Sequence, residues 1–128
     1  MSNSWITQAG AIELTAGALS GWIIALSVDK PDVLRRRGVK VIPRLRQAHL
    51  DLIIMGTILI ALGLAAPDLE MPWSVMLVAG AVLNPLLFVP LAFSPDTQQN
   101  PLYRAVTALS FISMSAGVTA AAVVILGG

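Results

Sequence analysis

The chain has 128 residues, 56% of them hydrophobic and 12% charged, with eight Lys and Arg against seven Asp and Glu and a mean hydropathy of +0.81. A soluble domain carries about twice that charged fraction, so lipid is the expected solvent and one membrane-embedded domain over residues 1–128 the expected organisation. The absence of cysteine excludes disulfides, iron–sulfur ligation and thiol catalysis, and a net charge of +1 with segregated charges leaves no nucleic-acid-binding face.

The first apolar stretch covers about 8–28. A bilayer core of about 30 Å needs roughly 20 such residues in helix. No Lys or Arg precedes the stretch, so it reads as a retained span, because a cleaved signal peptide needs a positive n-region. Gly10, Glu13, Gly17 and Gly21 recur at steps of three and four and share one face. Gly17 and Gly21 form a small-xxx-small pair that lets another helix approach closely. Glu13 therefore points into the bundle or across a subunit contact. An intramembrane acid is a functional candidate by default. Its alternative role is a neutral carboxyl that hydrogen-bonds a neighbouring helix and holds the packing.

The link from Asp29 to Arg46 holds Lys30, Arg35, Arg36, Arg37, Lys40, Arg44 and Arg46, seven of the eight basic residues. The second span, about 47–66, places the single histidine, His49, at its start, with Gly56 and Gly63 following at steps of seven. That stripe carries an imidazole and two gaps in side-chain volume. A flat cofactor would fit such a groove with His49 as axial ligand to iron, and so would a packed helix. Asp51 faces away from His49 and is expected to complement the helix N-terminus or pair with Arg46 or Arg104.

The third span, about 73–94, contains Pro85 and Pro90, each of which removes a backbone donor. A kinked helix beside a cavity is one reading; the other is that proline is ordinary in membrane helices. Asn84 falls near mid-membrane, level with Thr57, Ser113 and Ser115, four residues that would line a polar pocket or join helices by hydrogen bonds. The fourth span, about 102–127, opens with Arg104, the eighth basic residue. All eight therefore fall on one face of the membrane, and the positive-inside rule places that face in the cytoplasm and both termini outside. Trp5, Trp73 and Tyr103 lie near span ends, where amphipathic rings favour the interface. These boundaries place Glu13 and His49 on the order of 20 Å apart along the membrane normal, too far for one small substrate.

GAIELTAGALSG (residues 10–21) and RQAHLDLIIMGTILIALG (residues 46–63), with a fainter similarity over Asn84 to Phe93, resemble the small membrane family of styrene oxide isomerase and hydroxylaminobenzene mutase. The resemblance covers about half of the chain. It implies four helices, a trimer and, in the isomerase branch, haem b on the histidine matching His49. Ferric iron there acts as a Lewis acid, opening an epoxide so that a 1,2-shift yields an aldehyde. Met55 stands where the isomerase has an active-site Asn, Phe88 where it has a substrate-guiding Tyr, and Ala9 where a polar residue is common.

The sequence thus reads as an all-α, four-helix transmembrane bundle, multi-pass in the cell (inner) membrane, with both termini outside and a basic cytoplasmic loop. Two functions follow. One is a haem-b-dependent intramembrane isomerase of a small apolar substrate, with His49 and Gly56 at the cofactor, His49 on the iron, and Asn84 and Glu13 as catalytic candidates. The other is a non-catalytic accessory or assembly subunit that docks on a larger membrane complex through its glycine faces. The expected partners are lipid and either further copies of the chain or that complex.

Overall fold

The computed structural model describes residues 4–128; Met1, Ser2 and Asn3, part of the uncharged N-terminal segment discussed above, lie outside the described residues. The chain forms α1 (Ser4–Asp29), α2 (Pro31–Arg36), α3 (Ile42–Ala65), α4 (Met71–Leu86), α5 (Phe88–Phe93), a 3₁₀ turn (Pro95–Gln99) and α6 (Pro101–Gly127), with no strand among the described residues. Four of its segments, Ser4–Asp29, Ile42–Ala65, Met71–Phe93 and Pro101–Gly127, are long and apolar enough to cross a membrane. The fold is all-α, as expected. Its helices outrun the apolar stretches at several ends, because a proline in the first turn starts α3, α4 and α6 ahead of the lipid-facing residues. The Asn100 side chain caps α6 by accepting from the amides of Leu102 and Tyr103.

Two tight helix pairs make the bundle. In the first, α1 runs antiparallel to α3, with Gly10 against Gly56 and Ile60, Gly17 against Ile53, and Gly21 against His49. In the second, α4 runs antiparallel to α6, with Gly80 on the Met114 backbone and Gly117 on Leu77. The approach is backbone to backbone. A Cβ at Gly56 would lie 2.6 Å from the Leu14 nitrogen, and one at Gly80 2.6 Å from the Met114 nitrogen, so only glycine permits these contacts. The core of Ile6, Leu59, Leu77, Ala81, Met114 and Ala121 joins the two pairs.

The link between α1 and α3 is ordered against the end of the third span. Lys40 and Val41 both donate their amides to the Ala92 carbonyl, at 2.8 and 2.9 Å, and Leu34, Val39 and Ala92 form a small apolar cluster beneath them. Gly38 turns the chain there with φ +98°, a left-handed conformation that side chains disfavour. The basic residues of the link and Arg104 at the head of α6 consequently share one end of the bundle.

The third span is broken. α4 ends at Leu86 and α5 resumes at Phe88. Pro90 offers no amide to Leu86, which is the physical reason for the break.

Candidate functional site

A partly open cavity of about 250 Å³ lies beside that break. Asp51 and Met55 of α3, Asn84, Leu87 and Phe88 around the break, and Tyr103, Thr107 and Phe111 of α6 line it. Pro85 and Pro90 thus lie in the span that borders the cavity, and Leu87 between α4 and α5 keeps helical angles, φ −68° and ψ −19°. Broken helix leaves carbonyls for other groups, and the Tyr103 hydroxyl donates to the Leu87 carbonyl. Thr107 donates its hydroxyl to the Tyr103 carbonyl at 2.9 Å.

Asn84 is buried, and its amide oxygen accepts from the Ser110 hydroxyl. The expected pocket of Asn84, Thr57, Ser113 and Ser115 does not form. Thr57 is exposed and donates to the Ile53 carbonyl of its own helix, and Ser115 lies in a different cleft. Equal depth does not ensure a shared face, and the partner facing Asn84 across the α4–α6 seam is Ser110.

Asp51 corrects a second expectation. The one ion pair among the described residues is Arg35 with Asp32 at 3.2 Å, so Asp51 pairs with neither Arg46 nor Arg104. It is instead the only carboxylate in the cavity lining. Nor does it complement the helix N-terminus, since α3 begins at Ile42 and has no acid in its first turn. The sequence signal was an acid inside an apolar helix, but proximity to basic residues in the chain suggested neutralisation.

Glu13 is 5% exposed, and neither carboxyl oxygen has a hydrogen-bond partner among the described residues. The face it shares with Gly10 and Gly17 is packed on α3, so it points into the bundle, and Asp51 lies within electrostatic reach of it. The separation from His49 is smaller than the boundaries implied. Gly21 lies beside His49, and eight residues of helix from Glu13 to Gly21 rise about 12 Å. α1 begins at Ser4, so Glu13 sits deeper than a span starting at residue 8 would place it.

His49 is half-buried, with Nδ1 2.8 Å from both the Gly17 carbonyl and the Ser20 hydroxyl. Ser20 donates to the same carbonyl at 2.6 Å. A carbonyl can only accept, so the neutral ring carries its proton on Nδ1 and leaves the lone pair on Nε2. Metal-ligating histidines are commonly held this way. Gly21 stands against the ring, since a Cβ there would meet Cε1 at 3.3 Å and Nε2 at 4.0 Å. The donor chemistry of His49 therefore fits an iron ligand.

The glycine stripe below it is closed. Gly56 faces Gly10 and Leu14, and Gly63 faces Ile6 and Thr7, so α1 fills the space that a flat cofactor would need. Gly56 serves helix packing within the chain. His49 itself lies about 200° around α3 from Asp51. Among the described residues no three metal-ligating side chains converge.

The glycine faces proposed for docking on a complex are likewise spent, since those of α1 and α3 face each other. A further cleft of about 640 Å³ lies toward the opposite end of the bundle, lined by Asp68, Glu70, Trp73 and the last turns of α6. It contains Ser115 but none of Glu13, His49, Gly56 and Asn84.

Fold and cavity define the class: four apolar helices suited to a multi-pass membrane bundle, with a mixed polar and aromatic cavity beside a broken span. Comparison with known proteins adds no family to that class. No family model matches the chain, and no curated protein and no solved structure is similar to it.

Proposed function

We propose that the chain is an intramembrane isomerase-type protein, embedded in the cell (inner) membrane, that takes a small apolar molecule into the cavity between α3, the α4–α5 break and α6. One observation carries this reading. Met55 and Phe88, the two positions at which the resemblance to the styrene oxide isomerase family places substrate-contacting residues, lie far apart in the chain and line the same cavity together with Asn84.

The residues present divide the work. Phe88, Phe111, Leu87 and Met55 supply apolar and aromatic walls for a ring or short alkyl body. Asn84, fixed by Ser110, orients a polar substituent. The Tyr103 and Thr107 hydroxyls are committed to backbone carbonyls. Asp51 is therefore the lining group positioned to take the proton from the oxygen-bearing carbon as the C–O bond of an epoxide opens, and to return it to the neighbouring carbon while the oxygen becomes the aldehyde carbonyl. Haem b belongs to the same reading, held by His49 Nε2, and supplies a Lewis-acidic centre when bound. His49 is not among the residues that line the cavity, so the reading requires a second copy, as in the trimer that the resemblance implies, to bring His49 to a neighbour's cavity. The basic end of the bundle is cytoplasmic and both termini are outside, on the positive-inside rule.

Two experiments test the reading. Protein purified from haem-replete cells should show a Soret band that His49→Ala abolishes and azide shifts; no Soret absorption after haem reconstitution would remove the cofactor. Incubation with a panel of small aryl and alkyl epoxides and arylhydroxylamines should yield isomers, with Asp51→Asn slowing turnover by roughly 10²-fold or more, the range for a lost acid–base group. Unchanged turnover in Asp51→Asn would contradict its role, and no conversion of any member by haem-loaded protein would leave the accessory-subunit reading as the better one.

A further inference from the structure

Above the cavity, at the basic end of the bundle, lies a second cleft of about 460 Å³. It shares Phe88, Tyr103, Thr107 and Phe111 with the cavity and adds Arg44, Arg104, Gln98 and Leu91. Its two arginines come from the first turns of α3 and α6, where the apolar spans end. Neither has a carboxylate within ion-pair distance among the described residues, and Arg44 contacts the neutral Gln47 at 3.0 Å. Two guanidiniums therefore line one opening with no ion-pair partner among the described residues.

Below them the wall is apolar. Arg104, Ala108 and Phe111 follow one another at steps of four and three along one face of α6. Phe111 is 59% exposed and lies about 10 Å deeper than Arg104. The face therefore reads, from the interface inward, as a positive charge, a gap over a small side chain, and an aromatic ring.

We infer that this cleft is a binding site for an anionic phospholipid of the surrounding bilayer, its phosphate between Arg44 and Arg104 and its acyl chain over Ala108 against Phe111. Guanidinium forks match phosphate oxygens, and basic pockets between spans recognise anionic headgroups. The depth of the arginines, at the ends of the spans, matches a headgroup held in the membrane. The site requires no chemistry in the cavity beneath it, although the two share Phe88, Tyr103, Thr107 and Phe111.

Native mass spectrometry of protein released from micelles holding equal phosphatidylglycerol and phosphatidylcholine tests this assignment. The wild type should retain phosphatidylglycerol selectively. Arg44→Gln/Arg104→Gln should lower that retention by roughly tenfold or more, as expected for two interfacial charges. Arg35→Gln/Arg36→Gln, on the exposed α2, should leave it unchanged. Ala108→Phe keeps both charges and fills the groove, so it should lower retention without altering the wild-type melting temperature, which also secures the test should the arginine pair prove insoluble. Equal retention of the two lipids, an equal loss in the α2 pair, or preferential capture of added oleate over phosphatidylglycerol would each overturn the assignment.

Discussion

The seam between α1 and α3 and the space between α3, the α4–α5 break and α6 are built from opposite materials. In the first, Gly10, Gly17, Gly56 and Gly63 bring two backbones together until no side chain fits between them. In the second, Phe88, Tyr103 and Phe111 hold the helices apart around about 250 Å³ of open volume. α3 takes part in both, presenting Gly56 to one neighbour and Asp51 and Met55 to the others. Glycine contacts close both helix pairs, and the open volume lies where the proline-bearing span meets α3 and α6.

The largest expected effect lies in the closed seam. Gly56→Ala should lower stability by about 1–3 kcal/mol or more, the range for overpacking a close contact, and Gly80→Ala in the α4–α6 pair should behave alike. Gly21→Ala, whose Cβ meets only the His49 ring edge, should be tolerated far better. Melting in detergent measures all three, and equal tolerance of Gly56→Ala and Gly21→Ala would mean that the seam is not closed.

Glu13 tests the boundary between the two regions. It sits on the glycine face yet carries a carboxyl with no hydrogen-bond partner among the described residues. Glu13→Gln should leave folding nearly intact because it preserves the shape, while Glu13→Leu should disturb assembly, followed by size-exclusion profile. Strong disruption by Gln would show that the proton or charge itself matters.

Smaller effects are expected at the cavity wall. Tyr103→Phe removes the donor to the Leu87 carbonyl and should cost about 1 kcal/mol. Ser110→Ala should cost about 0.6 kcal/mol, the average for a hydrogen bond between membrane helices. A Ser110→Ala loss as large as that of Gly56→Ala would shift the weight of the fold from the glycine contacts to this polar pair. Orientation is tested separately by reporter fusions at Asp32 and Gly128, which should report cytoplasm and exterior respectively.

Most of the closed seam was legible in the sequence, because steps of three, four and seven place Gly10, Glu13 and Gly17, or His49 and Gly56, on one face whatever surrounds them. What periodicity does not name is the partner. The stripe on α3 suited a flat cofactor and a helix equally, and α1 took the place. Gly80 and Gly117, which close the second pair, attracted no notice because neither has a second glycine three, four or seven residues away in its span. The cavity was harder to read. Its lining comes from three segments with no shared spacing, so Asp51 appeared to be a helix-end charge and Ser110 one of several serines. Pro85 and Pro90 marked the break, but only tertiary packing decides whether a break borders a void.

The absence of cysteine from the natural sequence permits the most direct measurement, a comparison of Met55→Cys with Leu59→Cys. The two positions are one turn apart on α3; Met55 lines the cavity and Leu59 is 0% exposed in the core. The account predicts that a small apolar thiol reagent labels Met55→Cys and not Leu59→Cys, and that a small aryl epoxide protects Met55→Cys from labelling. Labelling of Met55→Cys as slow as that of Leu59→Cys, or labelling that no apolar molecule slows, would contradict the claim that this cavity receives a ligand.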